Sequence, residues 1–224
     1  MAQPPQTPQH QHPSVPAYWD EACRDLAASD STLNGIIGTN RNHVLRGSGN
    51  AFRTLVNAIV GQQISVAAAA GIWGRLTTAF PDMSPSSLAA AAPDTLRTVG
   101  LSRRKVEYVH GVAGAFASGE IDDAAWHEWT NEEISGQLTS LRGIGPWTAD
   151  MMLIFHMRRP DVLPLGDIGL VNAAARLYGW DADGAESLSA RRERLAEHAE
   201  RWRPWRTVAT WFVWLELDAD PVIY

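Results

Sequence analysis

The sequence is short of several things, and each shortage removes a class of protein. A single cysteine, Cys23, stands among 224 residues. That excludes an intramolecular disulfide and leaves too few thiolates for a cysteine-ligated iron–sulfur cluster or zinc site. No uninterrupted apolar run approaches the ~18–20 residues that span a bilayer, so no membrane partner is expected. The opening "MAQPPQTPQHQHPSVP" carries neither a basic n-region nor an apolar h-region, which predicts a cytoplasmic rather than a secreted chain. Positive charge is also scarce, with a formal net charge of −6. Taken alone, that counts against nucleic-acid binding, where a basic footprint is usual.

The charge is unevenly spread. "LRTVGLSRRKVEY" is locally positive through Arg97, Arg103, Arg104 and Lys105, and Arg191 to Arg206 holds six arginines against three glutamates. A basic face on an acidic molecule therefore stays open. Hydrophobic content of 45% with 20% charged residues is ordinary for a globular protein long enough to bury a sizeable core.

Residues 1–16 are rich in proline and glutamine and lack periodicity, which predicts a disordered tail in which His10 and His12 are solvated. From Ala17 onward the pattern is helical. Phe52, Leu55, Val56 and Ile59 recur at helical spacing, and Ile72, Leu76 and Phe80 follow. Ser102 is placed to cap a helix that buries Val106, Val109, Ala113 and Phe116. "TNEE" at 130–133 is a capping box opening a helix with Ile134, Leu138 and Leu141 inward. Strand-type alternation is weak, so the expected fold class is all-α, with roughly ten short helices.

Two stretches carry chemistry. In "LTSLRGIGPWTADMMLIF" the glycines Gly143 and Gly145 follow a helix rather than a strand. The third position of a dinucleotide fingerprint is Thr148, and no Lys-Ser/Thr follows. The nucleotide-loop readings therefore fail on context. What remains is helix, tight hairpin, helix: Gly143 is suited to end the first helix in a left-handed conformation, and Pro146 to begin the second. Such a hairpin lets backbone approach a phosphate, although an αα-hairpin without ligand has the same pattern. In "PLGDIGL", Asp167 precedes a helix predicted from about Ile168 to Leu177. By itself it reads as an N-cap.

"LRGIGPWTA" and "LPLGDIGL", together with "LVNAIVGQQISVAAA", "LRTVGLSRRKVEYV" and "RWRPWRTVATWFVW", resemble the helix-hairpin-helix DNA glycosylases. The likeness is greatest to the bacterial 3-methyladenine glycosylase II group, and it runs from about Phe52 to Trp214. It implies two helical lobes with a catalytic cleft between them: 49–160 as the central lobe carrying the hairpin, and 17–48 plus 161–224 as the other. It also implies a compact form without the extra N-terminal β-domain of larger members, with an open site and a broad substrate range. The expected activity is removal of alkylated bases, such as 3-methyladenine and 7-methylguanine, from duplex DNA by base flipping, acting as a monomer. The alternatives are a non-catalytic hairpin module and a glycosylase of different base specificity.

By the same resemblance Asp167 is the catalytic carboxylate, stabilising positive charge that builds on the deoxyribose. Trp147 occupies the place where lyase-active relatives carry a nucleophilic lysine, which implies a monofunctional enzyme. With ten tryptophans in the chain, Trp147 and Trp214 are expected to line the base pocket, with Met151 where the family often has tyrosine. A cationic alkylated base favours such aromatic faces. Trp202, Trp205 and Trp211 are expected in the core. Asp150 lies one turn beyond Trp147, and no obvious general acid accompanies Asp167. DNA contact is assigned to Gly143, Ile144, Gly145 and Thr148, to Gln62 and Gln63, and to the loop Leu101, Ser102, Arg103 and Arg104. Either Leu101 or Arg103 is the wedge that fills the hole left by the flipped base. Gln62 and Gln63 fit helix-end capping equally well. No cofactor is required, but the resemblance implies a Na+ or K+ held by the backbone carbonyls of Thr139, Leu141 and Ile144.

Overall fold

The computed structural model describes residues 15–47, 49–180 and 186–217, and among these every regular element is helical. The tail expected over 1–16, with His10 and His12, lies outside the described residues except for Val15 and Pro16. In chain order the helices are α1 (Trp19–Ser29), α2 (Ser31–Thr39), α3 (Ala51–Gly61), α4 (Val66–Ala79), α5 (Pro85–Ala89) and α6 (Pro93–Thr98). There follow α7 (Arg103–Ser118), α8 (Asn131–Ser140), α9 (Pro146–Met151), α10 (Ile168–Leu177), α11 (Leu188–His198) and α12 (Arg206–Leu215). Short 3₁₀ turns at Ala125–Glu128 and Ala199–Trp202 precede α8 and α12.

The caps are where the sequence places them. Ser102 Oγ accepts from Lys105 N–H at the start of α7. Thr130 and Glu133 form both bonds of the capping box on α8. Pro146 opens α9, where its missing N–H costs nothing. After Met151 the helix widens into one π turn, Met152–His156, that buries Met152, Leu153, Ile154 and Phe155 together. Nothing in the apolar periodicity distinguishes that turn from α-helix.

Helix packing sorts into two groups. α3 packs on α4, α7 and α9, α7 covers α5 and α6, and α8 lies along α9. α1 and α2 pair with each other and with α12, and α10 lies against α11 and α12. One group thus comes from the middle of the described chain and the other from its two ends. The seam between the groups is aromatic and hydrogen-bonded. Phe155 stacks on Trp214 at 5.9 Å and 7° and meets Trp211 edge-on. Thr207 Oγ1 donates to Arg159 O at 2.6 Å and accepts from Val162 N–H at 3.0 Å. Trp202 and Trp211 are core residues as expected. Trp205 is only half-buried, stacked on Tyr18 with its N–H on Asp25.

One buried carboxylate ties the second lobe together. Asp30, 5% exposed, caps α2 by accepting from Thr32 and Leu33 N–H. Its other oxygen accepts from Tyr178 Oη at 2.8 Å and Trp202 Nε1 at 3.0 Å, and lies 3.1 Å from His198 Nε2. Burial pushes the Asp30 pKa up, but the Trp202, Leu33, Tyr178 and His198 hydrogen bonds outweigh it and hold the group below its ordinary value. A depressed carboxylate stabilises the fold above its unfolded pKa, and that stabilisation is lost as the pH falls through the folded value. Asp30→Ala is expected to cost about 3 kcal/mol or more, because it strands several buried donors at once. Urea unfolding at pH 7 checks this, and the difference from wild type should narrow below about pH 4.

Candidate DNA-binding and catalytic site

Asp167 sits where the two lobes meet. It is the N-cap of α10, with Oδ1 accepting from Leu170 N–H at 2.7 Å. Its other oxygen, Oδ2, accepts from Trp147 Nε1 at 2.8 Å. The capping and functional readings of this residue are thus not alternatives, because the cap fixes the carboxylate that the hairpin tryptophan also holds. Gly169 leaves room for it: a Cβ there would lie 3.1 Å from Asp167 Oδ1. An anion at this helix N-terminus is favoured by the aligned peptide dipoles.

The base-pocket candidates differ in exposure and partners. Trp147 is half-buried, Met151 is fully buried behind it, and Trp214 is buried with its face on Phe155. Ile168 follows Asp167 directly and is 54% exposed, a large apolar side chain beside the carboxylate. Its exposure is unreadable from sequence, since an isoleucine at a helix start is ordinarily counted as core.

The hairpin differs from its expected form. α8 ends at Ser140 with Leu141 extended, so Gly143 does not terminate the helix. Instead it lies in the turn at φ +93°, and a Cβ there would strike the Tyr108 ring at 2.2–2.5 Å. Its carbonyl accepts from Gln62 Nε2 at 3.0 Å. Ile144 is buried and its N–H is bonded to Leu141 O, so it offers a carbonyl rather than a donor. Gly145 is the N-cap of α9. Thr148 is buried, which removes its side chain from any DNA-facing surface.

Three segments meet at this face: the turn after α3, the turn before α7 and the hairpin. Gln62 links the first to the third. Lys105 Nζ donates to Val60 O at 2.7 Å, linking α7 to the end of α3. Burial lowers the Lys105 pKa, and Lys105 is the only lysine in the chain. Gln63 is exposed with φ +58°, a left-handed conformation uncommon outside glycine, and the next residue, Ile64, is an exposed apolar side chain. Leu101 is only 4% exposed and packs beneath its turn, which removes it as a wedge, whereas Ser102, Arg103 and Arg104 are exposed. Arg103 therefore remains the wedge candidate of that loop. The approach of Glu107 and Tyr108 to the hairpin, and of Lys105 to the end of α3, is not legible in the sequence, because it depends on what faces them across the fold.

Asp150 lies on α9 with no hydrogen bond or ion pair described. Desolvation by burial raises its pKa to about 6. Among the described residues no group of three or more acidic, histidine or cysteine side chains is placed to hold a metal ion.

A family description, the HhH-GPD superfamily base excision DNA repair protein, matches residues 56–200. The chain is 30% identical to DNA-3-methyladenine glycosylase 1 of Schizosaccharomyces pombe over 169 residues, 73% of this chain and 71% of that protein. Curated relatives are longer: the chain spans 60% of a Bacillus subtilis relative and 40% of one from Mycobacterium tuberculosis. Among solved structures, a DNA-3-methyladenine glycosidase from Bacillus halodurans superposes with a TM-score of 0.71 at 33% identity, covering 87% of this chain and 88% of that one. The Schizosaccharomyces pombe 3-methyladenine glycosylase Mag1 in complex with abasic DNA gives a TM-score of 0.74 at 26% identity, over 87% and 95% of the two chains.

Three substitutions test this geometry without any assay of chemistry. Gly143→Ala combines a positive φ with overlap on Tyr108 and is expected to cost about 2 kcal/mol or more in thermal unfolding. Tyr108→Ala in the same chain should recover the steric part. For Asp150 the sign runs the other way from Asp30: burial raises its pKa to about 6, so stability is lost as the pH rises from the unfolded pKa to about 6 and the full cost is present above that. Asp150→Asn should raise the melting temperature at pH 8, and the gain should vanish below about pH 4.

Proposed function

The chain belongs to the HhH-GPD superfamily of base excision DNA repair proteins, and on that premise we propose that it is a DNA glycosylase that removes alkylated bases from duplex DNA. The substrates are bases such as 3-methyladenine and 7-methylguanine, and the product is an abasic site. The observation that carries this reading is the Trp147–Asp167 hydrogen bond. It orients the Asp167 carboxylate on the indole of Trp147, which is the second residue of the helix that follows the hairpin, and this supports the reading.

The chemistry follows from charge. Cleaving the N-glycosidic bond builds positive charge on the deoxyribose, and a fixed carboxylate stabilises it without reorganising. Asp167 is fixed on both oxygens, by Leu170 N–H and Trp147 Nε1, and each oxygen retains a lone pair for the sugar or for water. A cationic alkylated base is already a good leaving group, so a general acid is dispensable. The base itself is held by stacking and cation–π attraction on the rings of Trp147 and Trp214.

The same reading gives a monofunctional enzyme. A lyase needs an amine that forms a Schiff base with the opened sugar. Trp147 occupies the hairpin position, and the single lysine, Lys105, is engaged on Val60 O. On the DNA side, Gly143, Gly145, Gln62, Gln63, Ser102, Arg103 and Arg104 meet the backbone and the gap in the stack. The carbonyls of Thr139, Leu141 and Ile144 belong to the last turn of α8 and the hairpin beyond it, and that of Leu141 already accepts from Ile144 N–H. These carbonyls would hold a Na+ or K+, which would supply positive charge toward a phosphate.

Purified protein incubated with methylated duplex should release 3-methyladenine and 7-methylguanine. Asp167→Asn should lower single-turnover base release about 10²–10³-fold while retaining DNA binding. Trp147→Phe keeps a ring but loses the N–H, and should lower the same rate about tenfold with a smaller change in affinity. Wild-type protein that binds duplex but releases no base sinks the enzyme reading. A covalent adduct after borohydride treatment overturns the monofunctional one.

A further inference from the structure

An acidic chain that must grip DNA has few cations to use, and on the DNA-facing surface one carboxylate engages two of them. Glu107, on α7, is 40% exposed. Its Oε2 lies 3.1 Å from Arg142 Nη1, on the hairpin, and its Oε1 lies 3.8 Å from Arg103 Nε, one turn earlier on α7. Both arginines are otherwise open to solvent, 77% and 90% exposed. With Lys105 on Val60 O, Arg104 is the one cation of this cluster with no ion pair or hydrogen bond described. The two engaged arginines come from the two segments expected to meet DNA, the hairpin and the turn before α7. Tyr108, the next residue, packs against Gly143, so Glu107 is carried at a fixed height beneath the hairpin.

Resting on the DNA-glycosylase reading of this face, we infer that Glu107 is an electrostatic latch. It holds Arg103 and Arg142 in place in the free protein and competes with DNA phosphates for them. Exposed ion pairs contribute little to stability, so the consequence falls on binding. Each phosphate contact must first displace the carboxylate, which lowers affinity for undamaged duplex. It also keeps Arg103 from engaging the stack until enough contacts have formed to release it. The latch thus raises the ratio of lesion binding to non-specific binding.

The test is binding to undamaged duplex by fluorescence anisotropy across a salt series, with the intact chain. Glu107→Gln should tighten this binding about 3- to 10-fold at low salt, as expected for removing one nearby negative charge. The slope of log affinity against log salt should steepen by up to about 1. Binding to duplex carrying an abasic-site analogue should tighten less, so the ratio between the two falls. In an Arg142→Gln or Arg103→Gln background the gain from Glu107→Gln should shrink. Unchanged or weaker binding by Glu107→Gln overturns the latch, and so does a gain of equal size in both arginine backgrounds. None of these measurements needs base release. A protein that proves unable to cleave a glycosidic bond still tests the latch, and loss of the latch leaves base release by wild type unaffected.

Discussion

The hydrogen bond from Trp147 to Asp167 joins two helices that begin at the same place for different reasons. α9 starts at Pro146 because the hairpin turns there. α10 starts at Ile168 because Asp167 caps it. The bond is made only if the π turn, the segment 157–166 and the aromatic seam bring those two starts together. Everything at the site follows from that meeting: the carboxylate is fixed on both oxygens, the indole ring is fixed by its own N–H, and the exposed Ile168 is set beside both.

That meeting is held from the other side of the molecule as well. Asp30 gathers Tyr178, Trp202 and His198 onto the start of α2, which fixes α10 and the segment leading into α12. Thr207 then stitches α12 to the irregular run after the π turn through two hydrogen bonds. Phe155, the penultimate residue of the π turn, is clamped against Trp214. A single buried carboxylate with several donors thus serves the lobe that presents Asp167, while an apolar stack serves the seam. Each does what it is suited to: hydrogen bonds fix direction, and stacking fills volume without demanding a partner.

The charge pattern is economical. One lysine and a net charge of −6 leave arginine to carry nearly all DNA contact. Arginine is the better choice for bidentate phosphate contact and for stacking, and it cannot act as a Schiff-base nucleophile. Non-specific affinity is then set by how many arginines are free at one time. Glu107 lies within ion-pair distance of two arginines, Arg103 and Arg142.

Much of this was legible in the residues. The Ser102 cap, the Thr130–Glu133 capping box, the Pro146 start and the Ile168 start each depend on contacts within four residues, and local spacing reveals those. The resemblance carried by "LRGIGPWTA" and "LPLGDIGL" pointed to the superfamily that the family match shows. What stayed hidden depended on residues distant in sequence. Leu101 and Arg103 were equal wedge candidates until burial separated them. Thr148 looked available until its helix turned it inward. Gln62 does cap α3, and only the fold shows that its side chain also reaches the hairpin carbonyl; Gly143 fits a helix end, but α8 stops at Ser140 and Gly143 lies in the turn against Tyr108. Residue order alone set the helices and their caps, because caps, turns and periodicity are short-range. Only the tertiary structure decided which side chains Asp167 and the hairpin meet, because those contacts cross tens of residues and exist only once the two lobes have closed on each other.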